Sequence, residues 1–159
     1  MHIFFIRHAQ SVNNAIWAQT GNSAGRSEDP ELTGLGKMQA QAVARHLREG
    51  DPGIYLPPGE PRPEGFGLTH LYVSLMLRSV QTGIAIAENL GLRPMAWEDL
   101  HECGGIYLED EETGIKRCLP GKNRTYFEAQ FPRLLLPEVF PEAGWWNSRP
   151  IEEPEDSRQ

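Results

Sequence analysis

Three consecutive stretches, LTHLYVS (68–74), LRSVQTGIAIAEN (77–89) and RPMAW (93–97), decide the fold class of this chain. The first is short, apolar and rich in aromatic and β-branched residues, which reads as a buried strand. The second puts Leu77, Val80, Ile84, Ala87 and, one residue on, Leu90 on one helical face. Gly91 then stands where a left-handed C′ residue ends a helix, and Arg93 to Trp97 reads as a further strand. Strand, helix and strand in succession predict a parallel sheet with its faces covered by helices.

The pattern extends upstream. HIFFI (2–6) is a continuous apolar run and is expected to form the first buried strand. A weak helical pattern follows from Ser11 to Ala18, and residues 21 to 29 read as loop. Thr33 is the expected N-cap of a helix whose apolar stripe is Leu35, Met38, Ala42, Val43 and Leu47. Residues 50 to 67 carry Pro52, Pro57, Pro58, Pro61 and Pro63 and read as a loop open to insertion. Residues 101 to 123 are loop-like, Arg124 to Phe131 suits a short helix, and the remainder is Pro-rich and acidic.

Composition bounds the function. A chain of 159 residues is one domain's worth, able to bury roughly 70% of its unfolded surface, so a single domain over residues 1–159 is expected. Hydrophobic and charged fractions of 39% and 23% exclude wholesale disorder. No apolar run approaches a membrane span, and the five residues before Arg7 are too few for a signal peptide. A net charge of −7 argues against nucleic acid as a partner. Cys103 and Cys118 form no CxxC pair and suggest reduced thiols. A cytoplasmic protein is the expectation.

In open α/β sheets ligands sit beyond the carboxyl ends of the strands. The first expected strand ends at Arg7-His8 and the second at Ser74, with Arg78 one turn into its helix. Two guanidiniums match phosphate oxygens bidentately, and a neutral imidazole beside them is a nucleophile for phosphorus. Any one of these residues alone is more simply a packed histidine or a solvated arginine.

Three segments change that reading: Ile6-Arg7-His8-Ala9-Gln10-Ser11, Leu32-Thr33-Gly34-Leu35-Gly36-Lys37-Met38-Gln39-Ala40, and Ser74-Leu75-Met76-Leu77-Arg78-Ser79-Val80-Gln81-Thr82. In this order and spacing the chain resembles the histidine phosphatase superfamily, which includes the cofactor-dependent phosphoglycerate mutases. The resemblance implies a three-layer α/β/α sandwich of the phosphoglycerate mutase-like kind with a mostly parallel sheet. By it, His8 matches the histidine that becomes phosphorylated, and Arg7, Asn14 and Arg78 match the phosphate pocket. Thr20 and Gly21 fall where mutases contact substrate. Glu102 matches the acid that protonates the leaving oxygen, a task that needs a carboxyl group kept protonated by partial burial or by phosphate charge.

The departures matter as much. Ala9 replaces the family glycine, Ala18 and Gln19 stand where mutases keep an arginine and a phenylalanine, and Glu102-Cys103-Gly104-Gly105-Ile106 replaces a Glu-Arg-His-Tyr-Gly stretch. Loss of these substrate contacts favours a phosphomonoester hydrolase over a mutase-type phosphoryl transferase. No histidine follows Glu102, whereas the family places a second catalytic histidine after a late strand. The chain is therefore expected to be C-terminally incomplete, with an open sheet edge that invites assembly into a homo-oligomer. A non-catalytic phosphate-binding module is the rival from another class. The expected partner is a small-molecule phosphate ester, with no metal and no cofactor. His101-Glu102 lacks a zincin's second histidine, Gly114 to Lys122 misses P-loop spacing, and Cys103, Cys118 and His101 make a poor ligand set. The Asn123-Arg124-Thr125 sequon carries no meaning without secretion, and Trp145-Trp146 is best read as packing of the Pro-rich segment on the core.

Overall fold

A computed structural model describes residues 2–50, 65–110, 112–147 and 149–152. In chain order its elements are α1 (Val12–Thr20), α2 (Gly34–Glu49), β1 (Tyr72–Val73), α3 (Leu77–Leu90), β2 (Met95–Ala96), β3 (Tyr107–Glu109), β4 (Lys116–Cys118) and α4 (Arg124–Gln130). Residues 51–64 of the Pro-rich loop and the acidic residues beyond 152 lie outside the described residues.

The strand–helix–strand unit forms as the sequence requires. β1 and β2 are parallel, with Tyr72 opposite Met95 and Val73 opposite Ala96. The pairing is much shorter than the expected strands. A parallel bridge from Met95 to Leu135 extends it by one more chain segment. α3 crosses between the two strands and ends at Gly91, whose φ of 66° is the left-handed conformation a β-carbon would disfavour.

The expected first strand does not form. Residues 2–6 have no regular structure, and Ile3 and Phe5 are 66% and 90% exposed. A continuous apolar run becomes a strand only when a neighbour supplies the hydrogen-bond ladder. Among the described residues none does. Phe4 has one aromatic neighbour, Phe66, edge-on at 5.4 Å.

Thr33 caps α2 as expected, its hydroxyl accepting the Gly36 N–H at 2.9 Å. The buried face, however, is Gly36, Ala40, Ala44 and Leu47, while Leu35, Met38 and Ala42 are exposed. Close approach to α3 selects this face. Ala40 packs with Ala85, and Ala44 and Leu47 pack with Ile86, where larger side chains would hold the helices apart. Val43 remains at the edge of that contact.

The segment after Glu102 is more ordered than its composition suggests. β3 and β4 form an antiparallel hairpin, Tyr107 opposite Cys118 and Glu109 opposite Lys116. Its turn is held by the Asp110 carboxylate, which accepts from the Thr113 hydroxyl at 2.7 Å and amide at 2.8 Å. Charged residues alternate with no apolar period there, so only the Asp110–Gly114 turn chemistry signals a hairpin. Asn123 caps α4 through the Tyr126 N–H, and Phe127 enters the largest core cluster with Val73, Leu75, Ile106 and the Trp145–Trp146 pair. Both tryptophans are buried, so they pack the C-terminal stretch on the core as expected. No helix among the described residues is long and apolar enough to cross a membrane.

Gly36 meets the Gln10 backbone so closely that an added β-carbon would collide with the Gln10 carbonyl oxygen. Gly36→Ala should therefore destabilise by about 1–3 kcal/mol, despite alanine's better helix propensity. Urea denaturation would read this as a lowered midpoint with an unchanged slope, and an unchanged midpoint would show that α2 is free to shift.

Candidate active site

The segment Ala9–Ser11 is anchored by side chains and by an isolated antiparallel bridge between Ser11 and Leu32, not by a regular sheet. The Ala9 N–H donates to the Thr82 hydroxyl at 3.1 Å, and that hydroxyl donates to the Arg78 carbonyl at 2.7 Å. The Gln10 N–H donates to Gln39 Oε1 at 2.9 Å, and the Gln10 carbonyl accepts the Thr33 N–H at 3.0 Å. Leu32 N–H reaches Gln81 Oε1 at 2.7 Å. The three sequence segments thus meet because α2 and α3 satisfy the backbone that precedes α1.

Arg78 gathers the site. Its Nε donates to His8 Nε2 at 3.2 Å, and its Nη2 donates to Glu102 Oε2 at 2.6 Å and to Met76 Sδ at 2.9 Å. The Arg78 side chain is 9% exposed against 67% for Glu102. A guanidinium only donates, so His8 Nε2 must accept and the ring proton sits on Nδ1, which faces the Ala9 carbonyl at 2.7 Å. Burial pushes the His8 pKa below the ordinary histidine value, opposed by the Ala9 hydrogen bond and helped by the positive charge of Arg78. His8 is accordingly a neutral, oriented imidazole.

The other expected residues are placed unequally. Arg7 is exposed, and its charge also lowers the His8 pKa. Asn14 lies in the first turn of α1, where its side-chain oxygen accepts from the Ser11 amide at 3.0 Å and hydroxyl at 2.9 Å. That capping box commits its carbonyl and leaves its NH2 as a donor. Thr20 and Gly21 end α1, roughly 13 Å along its axis from Ser11. The Thr20 hydroxyl is exposed and bonded to Ile16 and Asn22, and no hydrogen bond joins it to His8 or Arg78. Glu102 sits on an exposed loop. Its loop is held from beneath by His101, which contacts the Glu98 carbonyl and the Glu152 carboxylate, both at 2.9 Å, and lies edge-on to Trp146 at 4.7 Å.

One residue of the site was hidden in the expected loop. Asp29 is 4% exposed, and its Oδ1 accepts the N–H of Leu77, the first residue of α3, at 2.9 Å. Met76 provides no side-chain cap for that helix, so Asp29 caps it across the fold. Ser74 Oγ accepts the Met76 N–H at 3.3 Å. The only sequence signal for Asp29 is the Asp29-Pro30 pair just before the Leu32-Thr33 helix start. Cys103 and Cys118 are free thiols, and no group of three His, Cys, Asp or Glu among the described residues is arranged to hold a metal.

Comparison with known proteins agrees with the sequence resemblance. Residues 3–56 match the histidine phosphatase superfamily (branch 1), and the matched segment carries Arg7, His8, Asn14 and the Leu32–Ala40 motif. No curated protein matches the chain. Among solved structures, a mycobacterial glucosyl-3-phosphoglycerate phosphatase is 20% identical over 79% of this chain and 44% of its own, with a TM-score of 0.41. The chain spans less than half the length of that protein.

The His8 geometry has a measurable consequence. Because its folded pKa is lowered, the imidazolium is disfavoured by the fold, and stability is lost as pH falls below the unfolded value of about 6.5. In a ring-proton NMR titration, His8, assigned by the loss of its signal in His8→Gln, should have a midpoint below that value. Arg78→Gln should move the midpoint upward, and a midpoint unmoved by that change would separate Arg78 electrostatically from His8.

Proposed function

We propose that the chain is a phosphomonoester hydrolase that works through a phosphohistidine on His8. The observation that carries this reading is the single guanidinium of Arg78 in contact with both His8 and Glu102. Those contacts join a neutral nucleophile, an anion receptor and a carboxyl group at one point.

In the first step His8 Nε2 attacks phosphorus in line, forming a P–N bond while the bond to the ester oxygen breaks. A bound phosphate draws the Arg78 donors to its oxygens and frees the Nε2 lone pair. The Nδ1–H bond to Ala9 keeps the ring oriented throughout. Arg7 and the Asn14 NH2 complete the set of donors that spread charge over the equatorial oxygens. Glu102 gives its proton to the departing alkoxide, and the phosphate's own charge must hold that proton until then. In the second step Glu102 takes a proton from water, the water oxygen attacks phosphorus, and the P–N bond breaks to return neutral His8. No metal or organic cofactor enters either step.

The hydrolase reading is preferred to mutase chemistry because Ala18, Gln19 and Cys103 offer no charge to hold a phosphoglycerate, and Thr20 and Gly21 lie at the far end of α1. We place this activity in a single domain over residues 1–159, of three-layer α/β/α kind, in the cytoplasm, with a small-molecule phosphate ester as its partner. Packing of α2 on α3 on one side, and of α4 and the tryptophan pair around the start of α3, supports the layered arrangement.

Turnover of an aryl phosphate is the direct test. His8→Ala should abolish it while far-UV circular dichroism stays unchanged. Glu102→Gln should slow hydrolysis of an alkyl phosphate by about 10²–10⁴ but that of nitrophenyl phosphate far less, since nitrophenolate leaves without a proton. Arg78→Lys loses the fork and should raise KM as well as lower kcat. Trapped label on His8 separates a catalyst from a phosphate-binding module, and efficient phosphoglycerate isomerisation would overturn the hydrolase preference.

A further inference from the structure

Asp29 is a carboxyl group buried at the back of the Arg78 helix, and the mechanism above does not use it. Its Oδ1 is committed to the Leu77 N–H, but its Oδ2 is buried with no hydrogen-bond partner. A carboxylate left half-satisfied in the interior is costly, and a cap alone would be served by a neutral side chain. The loop that carries it is built to hold it there. Asn13 of α1 clasps Ser27 through both its amide groups, at 2.7 and 2.9 Å, and the Asp29 N–H donates to Ser27 Oγ at 3.3 Å.

We propose that Asp29 is a positioning residue for Arg78, and that its ionisation weakens the pocket's hold on phosphate. The proposal rests on the assignment of Arg78 to the phosphate pocket. Through Leu77 it fixes the first turn of α3, one residue before Arg78, so the guanidinium is presented from a rigid helix start. Its charge, when present, lies close enough to Arg78 to feel that guanidinium, and so offsets part of the positive potential that attracts an oxyanion.

Burial raises the Asp29 pKa to about 6, against the Leu77 hydrogen bond and the charges of Arg78 and Lys122, which lower it. The adjoining Glu28 raises it slightly further. Tyr126 of α4 faces it too, its own pKa raised by desolvation and by Glu31 and Asp29. Below pH 6 Asp29 is neutral and the pocket holds an oxyanion most tightly. Above it the carboxylate forms and the same anion is released more readily. For a hydrolase this favours departure of inorganic phosphate at neutral pH, when Asp29 is charged.

Sulfate is the suitable probe, because it does not titrate between pH 5 and 8 as phosphate does. His8 titrates in that range, so the quantity to read is the ratio of sulfate Kd in the wild type to that in Asp29→Asn, in which the His8 contribution cancels. The amide keeps an oxygen for the Leu77 N–H and removes only the charge. The ratio should be near one at pH 5 and rise to about five- to tenfold at pH 7.5, the effect of one buried charge near the anion. A ratio that stays flat overturns the proposal.

A second measurement needs no substitution at Asp29. In His8→Gln, sulfate binding near pH 6, followed by calorimetry in two buffers of different ionisation enthalpy, should take up a fraction of a proton. No uptake also overturns the proposal. Arg78→Ala tests the underlying assignment separately. If it binds sulfate as the wild type does, the pocket itself is misplaced; if it loses sulfate while the Asp29 ratio is flat, only the role of Asp29 fails.

Discussion

The backbone of Ala9 and Gln10 has no regular strand beside it, only the isolated Ser11–Leu32 bridge that follows, and the rest of the site depends on how its polar groups are satisfied. Thr82 takes the Ala9 N–H, Gln39 takes the Gln10 N–H, and Thr33 supplies the donor for the Gln10 carbonyl. Buried or half-buried amides must be paired. Here the pairing comes from two helices that also pack on each other through Ala40 and Ala85, with Gly36 set against the Gln10 backbone. Helix packing and the placement of His8 are therefore one problem with one solution. If α2 and α3 separated, the anchors of the His8 segment would separate with them.

The same economy explains the spacing of Ser74, Arg78 and Thr82. The four-residue step from Arg78 to Thr82 puts both side chains on one face of α3, while Ser74 lies just before the helix. Ser74 accepts the Met76 N–H at the entry to α3, Arg78 turns into the pocket, and Thr82 reaches Ala9. One residue closes the helix start, one meets His8 and Glu102, and one fastens the chain segment that carries His8. The Ser74 and Thr82 contacts are ordinary hydrogen bonds, worth about 1 kcal/mol each, yet they fix which atoms meet at Arg78.

This is why the contacts around His8 and Arg78 are more legible in the sequence than the sheet. Side-chain roles written into fixed spacings, such as Thr33 to Gly36 or Arg78 to Thr82, are local on a helix and survive translation into structure. The helix boundaries of α3 and α4 were readable for the same reason, from period and from caps. A strand has no such local closure. HIFFI has every compositional mark of a strand, but a ladder needs a partner from elsewhere, and composition carries no record of one. The α2 stripe failed differently. Leu35 and Met38 are the more apolar residues, but the neighbour is a helix at close range, so small size decided the buried face over hydrophobicity. Asp29 was invisible because a single acid in a polar loop differs from any other until the helix it caps is seen.

Electrostatically the resting site is balanced around one buried cation. Arg78 has Glu102 on its outer side and Asp29 behind it, while Arg7 stands exposed. Burying a guanidinium with no anion nearby would be prohibitive, so some carboxylate must attend Arg78 when no ligand is present. The outer one is exposed and can swing away at little cost, and the inner one is fixed by its hydrogen bond to Leu77. On the proposed hydrolase reading, an arriving phosphate would take the Arg78 donor from Glu102, while Asp29 stays in place on Leu77. On that reading, the exchange that admits the ester also frees the Glu102 carboxyl group from Arg78 for its part in proton transfer.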